Sequence, residues 1–421
     1  MVDAVPPLRL AGSGAVTRIR DTVVIGGGLA GSALAQMLSL AGRDVTLVER
    51  ESGPHDKVCG EFLSHEAVFY LRRLGLDLQE LGAVPIDTVG VAAGKDMIAC
   101  PLPFPAFSLS RRRLDEALIQ RAGDAGAEIL RGSGVNALVE DGGVWTARLA
   151  NGHEVQASSA FIATGKHDLR GWKRPPGSQN DLIGLKLHYR LTAEQAGELG
   201  SRVELVLFPG GYGGLEPIEG GVANLCLLVR KDRFAEVGHS WEALFGKIKR
   251  ECPHLARRLE HAIPVHNRPV AITSIPYGFV RRAATACWHL GDQSAVIPSF
   301  AGEGMSIALH SAHLAANVYL AGGSANDFQQ RFAADVTSQV SRATLLSRLL
   351  VHGWAQTAVV GGLSTLPSIL ATVASNTRIP AASMPREVST ESACIKDLDA
   401  IGVVRKRLRL SREVACPRRS Q

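Results

Sequence analysis

Val24-Ile25-Gly26-Gly27-Gly28-Leu29-Ala30-Gly31 is the stretch on which the fold turns. Residues 22–25 are short, apolar and β-branched, and the glycines that follow break the strand. Residues 29–40 then have helical composition, with Ala, Leu and Met and no proline. Residues 45–48 are a second apolar run, closed by Glu49. Strand, tight turn, helix and parallel strand make the first unit of a dinucleotide-binding sheet. In that unit Gly26 permits the turn, Gly28 lets the backbone approach a pyrophosphate, and Gly31 lets the helix lie on its strand. The helix start offers unpaired N–H groups to phosphates. Glu49, eighteen residues after Gly31 and followed by Arg50, is placed to accept hydrogen bonds from ribose hydroxyls. The glycines alone are a weak signal; strand, helix, second strand and terminal acid together are specific.

The rest of the composition narrows the function. With 421 residues, 46% of them apolar, the chain is long enough for two or three domains. Its formal charge of +6 is carried by residues 404–421, where seven Arg and Lys face only Glu413. The body is therefore neutral, which argues against nucleic acid as a partner. The basic tail reads as a solvated segment or as a weak anchor to anionic lipid. Seven scattered cysteines without C-x-x-C spacing indicate neither a zinc site nor a disulfide framework. Residues 1–20 lack a long apolar run and read as a loose leader, so a cytoplasmic enzyme, with at most peripheral membrane contact, is expected.

Further along, residues 109–122 read as a helix, 129–130 and 161–163 as buried strands, and 304–320 as a helix. Between about 180 and 275 the texture alternates with period two, as in residues 184–190, 203–208 and 223–229, predicting an antiparallel sheet covered on one face. Residues 349–377 hold no Asp, Glu, Lys or Arg, yet Gly361, Gly362 and Pro367 interrupt them. A packed helical pair, or a lid touching a greasy substrate or a membrane surface, fits better than a spanning helix. The expected architecture is α/β. A Rossmann-type domain (21–175 and 276–325) carries an inserted antiparallel substrate sheet (176–275), and a helical region (326–380) and a basic tail (381–421) follow.

Three further motifs carry a family resemblance. Gly291-Asp292, followed by Pro298, Gly302, Gly304 and Met305, resembles the GD motif of flavoprotein monooxygenases and geranylgeranyl-reductase-like flavoenzymes. The resemblance implies FAD as cofactor, with Asp292 on its hydroxyls and the glycine turn against the pyrimidine edge of the flavin. A helix N-terminus there stabilises negative charge at that edge. Ser110-Arg111-Arg112-Arg113-Leu114-Asp115 resembles the family's R-x-x-L-D element, which implies Arg111, or secondarily Arg113, near the FAD phosphate or ribityl chain. Cys59-Gly60-Glu61 is similar to the Cys-Gly element of the reductase-like branch, which places Cys59 either in the isoalloxazine pocket or among small buried hydrophobes.

The segment from Phe208 to Pro217 looks like that branch's P-x-x-Y-x-W-x-F-P element, with Gly214 where the family has tryptophan. Tyr212 and Glu216 are cavity candidates there, unless the segment is only a glycine-rich hairpin. His188 and Tyr189 point to opposite faces of their strand, so one of them reaches the same cavity. Thr164 stands where hydroxylases carry an aspartate, and a Trp-x-Trp-x-Ile-Pro element is absent, which argues against halogenation. One dinucleotide fold implies that NAD(P)H docks transiently or that a separate reductase supplies electrons. The leading expectation is a monooxygenase acting on an aromatic or polyketide-like molecule through a flavin C4a-hydroperoxide. The alternatives are a reductase saturating C=C bonds of an isoprenoid and, from another class, a non-catalytic flavin-binding protein.

Overall fold

The computed structural model describes residues 18–283 and 285–385. Two sheets organise it. In the first, Glu128–Arg131, Val45–Glu49, Arg20–Ile25, Glu154–Ile162, Val144–Leu149 and Val135–Asp141 lie in that order, and Trp288–His289 pairs parallel to Glu154–Ile162. The first four strands are mutually parallel, and the last two add an antiparallel meander. Alternate residues of the central strands serve two cores. Val24, Leu47 and Phe161 meet the helices Leu29–Leu40, Arg111–Asp124 and Gly304–Leu320, whereas Val23, Ile25, Val48 and Ile162 meet the meander around Trp145. Burial on both faces is why these strands are apolar throughout instead of alternating.

The second sheet runs Ile263–Pro264, Leu182–Arg190, Val222–Arg230, Gly211–Ile218, Arg202–Phe208, Val84–Ala93, Asp96–Ser108 and Phe62–Leu63, with Val270–Thr273 also on Leu182–Arg190. It is antiparallel except where Arg202–Phe208 meets Val84–Ala93. Two expectations change here. Residues 84–108 fall inside the range read as the dinucleotide domain, but they pair into this sheet, because local pattern does not say which sheet a strand joins. The sheet is also covered on both faces. Leu185, Leu187, Tyr189, Leu225 and Leu227 pack against the helices Trp241–Glu251 and Pro253–Arg258. The opposite face, carrying Lys186, His188, Cys226, Asn224 and Glu216, is buried as well.

Three helices follow, Ala325–Leu350, Gly353–Thr365 and Ile369–Asn376. Among the described residues no single helix is long and apolar enough to cross a membrane; the uncharged stretch forms a pair bent by 117° at Pro367. The pair leaves Trp354 67% and Leu366 54% exposed, so its apolar composition is only partly spent on packing. The basic residues of the tail and nearly all of the leader lie outside the described residues.

Candidate functional site

The glycine loop separates into three distinct jobs. Gly26 has φ +108°, and a methyl there would come within 2.5 Å of the Ala163 carbonyl oxygen. A methyl at Gly31 would lie 1.9 Å from the Gly26 oxygen, so this glycine is a packing requirement of helix on strand. At Gly28 the nearest groups are Arg111 Nη2 at 3.6 Å and Lys57 Nζ at 3.7 Å. That position faces open space lined by cations. Among the described residues no side chain caps the Leu29–Leu40 helix at Gly28, which leaves first-turn N–H groups available to an anion.

The two cations are held by one carboxylate. Arg111 donates to Asp115 through Nε at 2.8 Å and Nη2 at 2.9 Å, and Lys57 Nζ donates to the same group at 2.8 Å. Burial works against the charge on Arg111, but the adjacent Asp115 carboxylate outweighs it and the net shift is upward. For Asp115 burial likewise opposes ionisation, and Arg111 and Lys57 more than offset it, holding its pKa below the usual range. The site therefore presents fixed positive charge beside Gly28. Glu49 is buried, its carboxylate accepting from the Gly27 N–H at 2.6 Å and the Glu51 N–H at 3.0 Å.

A cavity of about 630 Å³ runs from this loop to the second sheet. Gly26, Gly28, Glu49, Arg50 and Arg111 line one end, and Asp292, Gly302, Gly304, Met305 and Cys59 line the other. Asp292 sits 3.5 Å from Lys166. Gly302, at φ +68°, allows Phe62 to lie against it, since a methyl would meet the ring at 2.7 Å. The start of the Gly304–Leu320 helix also opens on the cavity. The residue set suits a dinucleotide with a flavin: an open glycine, paired cations and a helix start for the phosphates, an acid at each ribose-like end, and a second helix start for the ring edge. Arg50 lines the wall but is exposed and paired with Glu51. Pro298 is buried without reaching the cavity, and Arg113 is exposed on another face of its helix.

Beyond Cys59 the polar face of the second sheet closes the cavity. Glu61, whose own φ is +61°, has no exposure. Its carboxylate takes Lys186 Nζ at 2.5 Å and the Arg111 N–H at 2.7 Å on one oxygen, and His188 Nε2 at 2.8 Å on the other. Asp56, Glu61 and His188 bring ligand-type atoms within 4.8 Å of one another, and the Lys186 ammonium supplies the positive charge there. His188, not Tyr189, faces this side; Tyr189 stacks on Phe245 among the helices beyond.

Three cavity expectations are corrected. His188 reaches Glu61 but does not itself line the cavity. Tyr212 directs its hydroxyl to Ser347, 2.9 Å away on the long C-terminal helix, and does not line the cavity. Glu216 lies beneath Gly60 and is shielded from the cavity, where Asn224 bridges it to the Cys59 and Gly60 carbonyls. Burial, then the charge of Glu61, raises the Glu216 pKa well above the ordinary carboxylate value. Both residues point inward, as period two requires, but the C-terminal helix and the Cys59 loop cover them. Sequence reasoning missed Lys57, Glu61, Lys186 and Asn224. The available signal was a lysine between Leu185 and Leu187, two residues from His188 on one strand face.

Comparison with known proteins agrees with this geometry. Residues 20–163 match the FAD binding domain family. The chain is 28% identical over 360 residues to a menaquinone reductase of Mycolicibacterium smegmatis, covering 78% of this chain and 83% of that one. It is 26% identical over 317 residues to a digeranylgeranylglycerophospholipid reductase of Methanopyrus kandleri, covering 71% and 76%. A flavin-dependent brominase shares the fold, with TM-score 0.69 at 18% identity over 94% of this chain and all of that one. The cradle at Gly28 and these matches make the chain an FAD-dependent oxidoreductase, similar to the flavoprotein monooxygenases and geranylgeranyl-reductase-like flavoenzymes.

Proposed function

We propose that the chain is a reductase that saturates a carbon–carbon double bond in a hydrophobic, isoprenoid-type molecule. The observation that carries this reading is the buried Glu61 carboxylate in the cavity wall, held from behind by Lys186 and His188. Saturating an alkene consumes a proton as well as a hydride, whereas oxygen transfer to an electron-rich ring needs chiefly a dry, shaped site. Two relatives covering more than two thirds of the chain are named menaquinone reductase and digeranylgeranylglycerophospholipid reductase, which supports the same substrate class.

When bound, FAD supplies hydride transfer. The chain's own residues do the rest. Arg111, Lys57 and the helix start at Leu29 hold the pyrophosphate, Glu49 and Asp292 take hydroxyl groups, and the helix start at Gly304 favours negative charge at the ring edge. Lys186 and Glu61 keep a mobile proton beside the cavity, shielded from bulk water. Electrons come from NAD(P)H docking transiently or from a separate reductase.

The test is to reduce the holoprotein anaerobically and mix it with a polyprenyl quinone or a polyprenyl lipid. Reoxidation of the flavin with a product in which one prenyl C=C bond is saturated supports the proposal, and a quinol with its prenyl chain unchanged counts against it. Reoxidation only on admitting oxygen, with an oxygen atom in the product of an aromatic substrate, would establish the monooxygenase reading instead.

A further inference from the structure

From the cavity's inner end a row of ionisable side chains leads to the surface. His266, whose side chain is 52% exposed, places Nε2 3.3 Å from Asp56 Oδ2. The other oxygen of Asp56 is 3.9 Å from His188 Nδ1, and His188 Nε2 is 2.8 Å from Glu61 Oε2. Glu61 Oε1 in turn holds Lys186 Nζ at 2.5 Å. We infer that His266, Asp56, His188 and Glu61 form a proton path from solvent to the flavin end of the cavity, with Glu61, held by Lys186, as its inner terminus in the cavity wall.

Each member is of the right kind. Histidine exchanges protons through both ring nitrogens, and here each nitrogen of His188 faces a different carboxylate. Asp56 Oδ1 is buried and, among the described residues, has no hydrogen-bond partner. At 3.9 Å a small rotation of the imidazole supplies one. The Asp56 carboxylate thus lies between two histidines, 3.3 Å from His266 Nε2 and 3.9 Å from His188 Nδ1.

The charges around the path favour its direction. Glu61 is faced by Lys186 and His188 from one strand, by Glu216 and by Asn224 from the next two, and by Cys59 from its own loop. Asp56 is faced by His188 and His266, and beyond it lies the Lys57, Arg111 and Asp115 group.

The inference rests on the reductase reading only for its final acceptor. In that reaction the C=C π bond breaks, one carbon receives a hydride with both electrons from the reduced flavin, and the other receives a proton by way of Glu61, which Lys186 holds in place. His188 restores that proton, Asp56 relays the next, and His266 takes one from water.

The experiment needs no substrate. The holoprotein is photoreduced anaerobically in weakly buffered solution containing a pH indicator, so flavin bleaching and proton uptake are followed separately. Asp56→Ala should slow uptake at least about tenfold relative to bleaching, and formate should restore it. His266→Gln, a surface change that leaves the fold untouched, should slow uptake severalfold. Uptake at the wild-type rate in either variant, or a loss in Asp56→Ala that formate does not rescue, overturns the path. Slowed uptake in a protein that reduces no alkene would reject the proposed reaction and keep the path; alkene reduction with unaltered uptake would do the reverse.

Discussion

The Lys186 ammonium lies 2.5 Å from the Glu61 carboxylate, and neither side chain is open to solvent. Removing one partner of such a pair strands the other charge, which costs about 3–5 kcal/mol. Lys186→Met is therefore expected to lower unfolding free energy by about 3 kcal/mol in denaturant melts at neutral pH. Lys186→Met with Glu61→Leu should recover part of that loss, since the stranded carboxylate is gone. Strictly additive losses would show that the two residues are not energetically coupled.

The two outer residues of the Gly28-x-x-Gly31 step should fail in different ways. Gly31→Ala forces a methyl to within 1.9 Å of backbone oxygen and is expected to cost about 3 kcal/mol or more, or to prevent folding. Gly28→Ala meets nothing closer than 3.6 Å and should fold within about 1 kcal/mol of wild type. Its methyl occupies the space a pyrophosphate needs, so the purified protein should carry little flavin. Absorbance stoichiometry beside a thermal melt separates the two outcomes, and a fully flavinylated Gly28→Ala protein would contradict the assignment.

Asp115 offers a test in which simple electrostatics points the wrong way. Asp115→Asn removes negative charge close to the phosphate position and so, by charge alone, should tighten FAD binding. The structure predicts weaker binding, by about tenfold or more, because Arg111 and Lys57 lose the charge-assisted hydrogen bonds that aim them. Fluorescence titration of the apoprotein with FAD measures the sign directly.

His289 predicts a pH dependence. Burial first, then the neighbouring Arg281 and Arg174, lower its pKa from 6.5 to about 3. The unfolded chain therefore binds a proton there that the folded chain refuses, and stability present above pH 6.5 is lost as pH falls toward 3. His289→Gln should flatten this part of the stability profile between those limits, leaving the alkaline side unchanged. Melting curves taken at intervals of pH would reveal it; parallel profiles for the two proteins would refute it.

Much of this molecule is local and was open to reading. The helices 29–40 and 304–320 and the strands bearing Val24 and Val48 follow from contiguous composition, because glycine turns and β-branched runs act over a few residues. Alternation in residues 184–190 was equally visible but misleading. The polar positions Lys186 and His188 suggested a face toward water, and that face is buried against the Cys59 to Phe62 loop, where Glu61 satisfies both side chains. Period two tells which residues share a face; it does not tell what covers that face.

The division follows from range. By itself the sequence determined the dinucleotide cradle, since Gly26, Gly28, Gly31 and Glu49 lie within one strand, turn, helix and strand and need no distant partner to be recognised. Only the tertiary structure decided that Tyr212 is turned to Ser347, that Glu216 is hidden under Gly60, and that Lys186 meets Glu61 across 125 residues of chain. The physical reason is that a buried charge is tolerable only beside its partner, and the partner is chosen by how the two sheets pack, which no short stretch of sequence specifies.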